Sequence, residues 1–194
     1  QFEFHYIYFL PWKNQLVETI EKAGGKVTCF SAKNNVQLML HFWNVIKYCK
    51  QHKIQLIHAH LPWAGFLSIL VHTITKIPVV YTEHNLQERY HFITKYINKW
   101  TFNFQTLAIG VSNDVTQSIQ KNIHPKIACK TVLNGVNTKT FVRLNGEERM
   151  TIRKQFGIPE NAIVVGTTAV FRFQKRLDKW IEIMHAAIDK NPNI

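Results

Sequence analysis

Two hydrophobic rhythms alternate along this chain. Short unbroken apolar runs give way to stretches whose apolar residues recur at helical spacing, and polar clusters punctuate the changes. Residues 54–85 show the pattern most clearly. Residues 54–59 predict a strand that ends in His58-Ala59-His60. Residues 62–76 predict a helix, with Pro62 in its first turn and Phe66, Ile69, Leu70, Thr73 and Ile74 on helical spacing. Residues 78–81 predict a second buried strand that runs into Thr82-Glu83-His84-Asn85. Such a unit makes parallel neighbours joined by a right-handed crossover, so both strands end on the same sheet edge. Ligands of open α/β sheets bind at that edge.

The rhythm repeats. Residues 106–111 form an apolar run that stops at Ser112-Asn113-Asp114, where Ser112 suits the N-cap of a helix over 114–121. Residues 126–133 form another, ending at Asn134-Gly135-Val136-Asn137, which reads as a tight turn. Polar strand ends recur roughly every 25 residues, the length of one strand and helix in a parallel sheet. Upstream, residues 3–10 and 26–30 predict strands, 15–24 a helix, and 36–51 one long helix. This order predicts a doubly wound α/β domain. Residues 138–160 hold a basic helix over 147–156 closed by Gly157-Ile158-Pro159, after which 162–170 predict a strand and 174–189 a helix. The expected organisation is a Rossmann-like domain over 1–144, a bridge over 145–160, and the first strand-helix unit of a second domain over 161–194.

A chain of 194 residues, 46% of them hydrophobic, can bury one core of ordinary domain size. The remaining roughly 35 residues are too few for a second. Because the chain also opens on Gln1 directly at a strand, we expect a piece of a larger protein. Cys29, Cys49 and Cys129 lie apart in apolar runs with no CxxC, so buried free thiols in a reducing compartment are expected.

Lys and Arg number 24 against 12 Asp and Glu, a net charge of +12 that favours polyanionic partners. No helix combines Lys and Arg with the small polar residues of a groove-reading element, so specific nucleic-acid binding is not expected. No apolar run reaches the length of a membrane span. Residues 90–104, YHFITKYINKWTFNF, interleave aromatics with Lys95 and Lys99. This segment suits a bilayer interface, but we expect instead a core helix whose lysines face water, because one face of the helix must cover the sheet.

Six motifs taken together resemble a known family. They are His58-Ala59-His60, Tyr81-Thr82-Glu83-His84, Val111-Ser112, Leu133 to Asn137 with Phe141 after it, Phe156-Gly157-Ile158-Pro159, and Phe171-Arg172-Phe173-Gln174-Lys175. Their order and spacing are similar to those of the retaining nucleotide-sugar glycosyltransferases of family 4. The resemblance implies the GT-B architecture, in which two Rossmann-like domains face each other across a cleft.

It also implies roles. His84 would stand near the transferred sugar as the catalytic-site histidine, Arg172 and Lys175 would clamp the donor diphosphate, and His60, Glu83, Asn134 and Gly135 would contact substrate. No cofactor is implied beyond the nucleotide-sugar donor. The net charge of +12 and the segment over 90–104, rather than the resemblance, point to a lipid-linked or cell-surface glycan acceptor and an anionic membrane surface, with a cytoplasmic location at the inner face.

The residues themselves add that Asp114, Asp178 and Asp189 are too dispersed to form a paired-aspartate metal site. His58 and His60 face one side of a strand with no third ligand nearby. Two positions depart from the family pattern: Arg176 stands where glycine is usual, and Asn137 where aspartate is usual. The family's glycine-rich loop would precede Gln1 and its paired glutamates would follow Ile194, so the chain alone is expected to be inactive. Two other readings stay open: a non-catalytic binding module derived from a transferase, and a GT-B sugar-nucleotide epimerase.

Overall fold

The computed structural model describes residues 2–191, with Gln174 described by its backbone alone. Residue 1 and residues 192–194, which fall in the predicted first and last segments, lie outside the described residues. The chain divides into two compact units, Gln1–Gly135 and Val136–Ile194.

The first unit alternates strand and helix. Its elements are β1 (His5–Tyr8), α1 (Val17–Lys22), β2 (Lys26–Cys29), α2 (Asn35–Leu40), α3 (Phe42–Gln51), β3 (Ile57–His60), α4 (Pro62–Thr75), β4 (Val79–Glu83), α5 (Phe92–Thr101), β5 (Leu107–Gly110), α6 (Asn113–Ile123) and β6 (Cys129–Thr131). Short 3₁₀ turns at Gln87–Arg89 and Phe102–Phe104 flank α5. All ladders are parallel, in a two-stranded sheet β1-β2 and a four-stranded sheet β3-β4-β5-β6. The Rossmann-like α/β class is as the sequence predicts.

Alternation along the strands decides which face is covered. Ala59, Val79, Tyr81 and Ala108 point to one face and are buried. There Tyr81 meets Phe102 edge-on with ring centroids 5.9 Å apart, and Val115, Ile119 and Ile123 of α6 complete the cluster. His58, His60, Val80, Leu107 and Ile109 occupy the opposite face and are half-buried or exposed. A second cluster joins Val45, Ile46 and Cys49 of α3 to Leu67 and Val71 of α4, with Ile7 and Ile57 packed against it.

The helix ends follow local chemistry. Pro62 starts α4, and Lys76 ends it in the left-handed conformation. Ser112 caps α6 as expected, accepting from the Val115 N–H at 3.2 Å. At Gly110 a Cβ would lie 2.3 Å from Thr116 Oγ1, so only glycine lets β5 meet the start of α6.

Several expectations are corrected. The long helix over 36–51 is two helices, because His41 leaves helical geometry with ψ of 2° while its ring bonds the Ser31 carbonyl at 3.0 Å. Cys29 is exposed, Cys49 buried and Cys129 intermediate, so only Cys49 matches the buried-thiol expectation. Burial pushes the Cys49 thiol up to about 11. Asn134-Gly135 forms no tight turn: both residues are in exposed chain outside any turn or strand, and the Asn134 N–H donates to the Val111 carbonyl.

The second unit holds α7 (Gly146–Gln155), a 3₁₀ turn at Phe173–Lys175 and α8 (Leu177–Lys190). A capping box formed by Asn145 and Glu148 starts α7. The predicted strand over 162–170 is irregular and has no ladder partner among the described residues, which leaves Ile163, Val164 and Val170 exposed. Arg153 ties α7 to this stretch by donating to the carbonyls of Pro159 and Ala162. No described residue of this unit is buried.

Candidate functional site

Parallel pairing fixes where the polar strand ends fall. The register places His60 opposite Thr82, Glu83 opposite Gly110, and Gly110 opposite Thr131. His60, His84, Ser112 and Asn134 therefore leave the four-stranded sheet in order along its C-terminal edge.

Two of the expected residues touch. His60 Nδ1 lies 3.0 Å from His84 Nε2, and the His58 ring stacks beside His60 with centroids 4.4 Å apart. His58 Nε2 in turn bonds the Thr82 hydroxyl at 2.7 Å. A hydrogen bond between two ring nitrogens needs one proton between them, so full protonation of both rings would set two N–H groups head to head. Burial lowers the pKa of His58, with the charge of His84 as a lesser cause. The pKa of His60 is lowered by burial first, then by His58 and His84. Among the described residues, no group of three or more His, Cys, Asp or Glu is arranged to hold a metal ion.

Glu83 has a different place from the one expected. It is fully buried, and its carboxylate accepts from the Tyr81 hydroxyl at 2.8 Å, Gln87 Nε2 at 2.8 Å, the Tyr90 hydroxyl at 2.5 Å and the backbone N–H groups of His84 and Asn85 at 2.9 and 3.1 Å. Burial and the adjacent carboxylate raise the phenol pKa values of Tyr81 and Tyr90, which keeps both as donors. Instead of facing substrate, Glu83 fixes the turn that carries His84. A buried carboxylate is tolerable when so many donors surround it.

The network runs outward from there. Asn98 Nδ2 donates to Gln87 Oε1, and the Gln87 N–H donates to Ser118 Oγ. Ser118 and Asn122 both donate to Glu88, whose carboxyl is held down at about 2 by these bonds. Gln87, Tyr90 and Asn98 are not among the site residues that the sequence singles out.

Leu61 follows His60 with φ of +71° and ψ of 154°, a region glycine ordinarily fills. Backbone strain of this kind costs about 1–3 kcal/mol and concentrates at functional sites. Here it turns the chain sharply from β3 into α4 and leaves His60 at the rim.

Arg172 and Lys175 lie in the second unit. Lys175 closes the 3₁₀ turn ahead of α8 and Arg172 stands just before that turn, with the Lys175 N–H donating to the Arg172 carbonyl at 2.9 Å. Neither side chain has a hydrogen-bonding or ionic partner among the described residues. Arg176 begins α8 with φ of +44°, the conformation that favours glycine. Its guanidinium folds back on Asp178 at 2.9 Å and over the Phe173 ring. Asn137 accepts from the Lys139 N–H at 3.0 Å and so caps the turn that follows it.

A parallel α/β sheet with convergent polar groups at its C-terminal edge defines a Rossmann-like ligand-binding class. The sequence pattern of Glycosyltransferase Family 4 matches residues 6–140, and the chain belongs to that family. No curated protein matches the sequence. Among solved structures, the chain is similar to HepE from Anabaena in complex with UDP and glucose, with a TM-score of 0.77 and 16% identity over 95% of this chain and 57% of that one. It is similar to a glycosyltransferase from Rickettsia africae, with a TM-score of 0.61 and 17% identity over 76% of this chain and 40% of that one. It also resembles sucrose-phosphate synthase from Thermosynechococcus elongatus, at a TM-score of 0.51 and 13% identity over 80% of this chain and 99% of that one. At these identities the likeness is one of fold. The chain spans 57% and 40% of the first two structures.

Proposed function

We propose that the protein to which this chain belongs is a retaining glycosyltransferase that moves a hexosyl group from a nucleoside-diphosphate sugar to a lipid-linked or cell-surface glycan. The observation that carries this reading is the contact of His60 with His84 at the C-terminal edge of a family 4 sheet. The Anabaena neighbour is solved with UDP and glucose, and in another structure with UDP-glucose, which supports a nucleotide-sugar donor.

Transfer leaves positive charge on the anomeric carbon and negative charge on the departing diphosphate. In this reading His84 orients the donor sugar and faces the developing positive charge. His60 acts as a positioning residue, because its Nδ1 fixes one nitrogen of the His84 ring. Arg172 and Lys175 take the diphosphate, a role suited to two cations with no hydrogen-bonding or ionic partner among the described residues. Fixed cations supply that stabilisation without a metal ion. Asn134 and Gly135 offer exposed backbone to the substrate from the end of β6, and Glu83 acts through the His84 turn. The acceptor places the work at the cytoplasmic, anionic face of a membrane.

The test is nucleoside-diphosphate release by the whole protein, measured with UDP-, GDP- and ADP-sugars and a membrane extract as acceptor source. Release that depends on donor and acceptor, and that His84→Ala abolishes, is the expected result. Absence of release with every donor overturns the reading.

A further inference from the structure

Helix α5 packs with its polar side inward. Asn98 is 1% exposed and is held by Gln87, with Thr94, Ile97 and Thr101 half-buried beside it. On the opposite side Phe92, Tyr96 and Trp100, spaced four apart, are 71%, 63% and 67% exposed, and the Tyr96 and Trp100 rings lie 5.8 Å apart. At about 100° per residue, Lys95 and Lys99 fall along one flank of this stripe. Residues 90–104 contain no Asp or Glu. Of the carboxylates just upstream, Glu88 is engaged by Ser118 and Asn122, and Glu83 is buried among its own donors.

An aromatic stripe of this size left in water marks a contact surface, and its chemistry separates the candidate partners. Protein interfaces deplete lysine around their apolar centre, whereas here lysines border it. A chain of net charge +12 repels a second copy of itself and is drawn to a negative surface. Tyrosine and tryptophan rings beside lysines suit the headgroup boundary of a bilayer, where the ring inserts and the ammonium stays with the phosphates. The helix is 10 residues long, about 15 Å, so it lies on a membrane and does not cross one. No helix among the described residues is long and apolar enough to cross.

We propose that the Phe92-Tyr96-Trp100 face of α5, flanked by Lys95 and Lys99, seats this domain on the surface of an anionic lipid bilayer. Insertion of the rings supplies apolar burial, and the lysines supply charge selectivity. The inference rests on the membrane-side acceptor of the proposed function, but the docking itself requires neither donor nor acceptor.

The experiment is co-sedimentation of the chain with vesicles of phosphatidylglycerol and phosphatidylcholine, or of phosphatidylcholine alone, at low and high salt. Neither sugar nucleotide nor glycan is present, so docking is scored whether or not transfer occurs. Binding is expected to the anionic vesicles only and to weaken with salt. Each of Lys95→Gln and Lys99→Gln should lower it about fivefold, and Tyr96→Ser with Trp100→Ser by at least about tenfold. Trp12→Ser, at an exposed aromatic outside α5, should leave it unchanged. If circular dichroism shows that the double variant fails to fold, Phe92→Ser on the same stripe decides. Equal binding to neutral vesicles, binding unaffected by the stripe variants, or lipid-free self-association that those variants abolish would each overturn the proposal.

Discussion

Tyr90 donates its phenol proton to Glu83 over 2.5 Å, closing a loop that leaves the sheet at the end of β4 and returns before α5. That bond belongs to a set of five donors around one buried carboxylate, and the set can be tested by removing its centre. Glu83→Ala leaves two phenols, one amide and two backbone N–H groups without an acceptor. The expected loss is about 3–5 kcal/mol, the range for breaking a buried charged network. Urea denaturation measures it, and a midpoint equal to wild type would show that the donors find water instead.

The histidine pair predicts a pH dependence. His58 and His60 have pKa values below the ordinary 6.5, so the unfolded chain binds protons at a pH where the folded chain does not. Stability is then fully present above the unfolded value and falls as pH drops through it towards the lowered folded value. Urea midpoints should decline from about pH 7 to about pH 5. His60→Asn should flatten that decline relative to wild type. Parallel profiles for the two proteins would remove His60 as a contributor.

Gly110→Ala tests the close approach of β5 to α6. The added methyl would meet Thr116 Oγ1 at 2.3 Å and the Thr116 backbone nitrogen at 2.9 Å. A destabilisation of about 1–3 kcal/mol is expected from overpacking. Thr116→Ala should not rescue it, since the backbone contact persists. Thermal denaturation of the single and double variants checks this, and full rescue would show that the side chain alone sets the limit.

In the whole protein, Arg172→Ala and Lys175→Ala should each lower nucleotide-sugar turnover by roughly ten- to a thousand-fold, as for loss of one charge-stabilising contact. The fold should be unaffected, because both side chains are exposed. Steady-state kinetics with the preferred donor decides, and unchanged turnover in the double variant would move the diphosphate site elsewhere.

Much of this arrangement is legible in the sequence. The Ser112 cap announced α6 because serine followed by an acidic first turn is a local signal, and the apolar runs ending in polar clusters announced four parallel strands. Other features depended on partners far away in sequence. A strand needs a neighbour, and the stretch over 162–170 has none among the described residues, so its apolar pattern did not suffice. The break at His41 was hidden within a continuous apolar face. Periodicity marked a stripe on α5 without saying which side faces inward, because that depends on the bond from Asn98 to Gln87. The histidine contact needed the register of β3 against β4, which no spacing reveals.

Helix α5 also embodies a conflict between two ways of docking the same segment. Rolling it by half a turn would hide three aromatic rings, a larger hydrophobic gain than the present face allows. That roll would strand Asn98 and Gln87 and, through Gln87, unsettle Glu83. The hydrogen-bonded thread thus acts as a ratchet pawl, holding the helix in the orientation that hydrophobicity alone would reject. A chain with the thread cut has two near-degenerate packings in place of one, and its ability to meet a lipid surface would fall with the share of molecules in which the rings have turned inward.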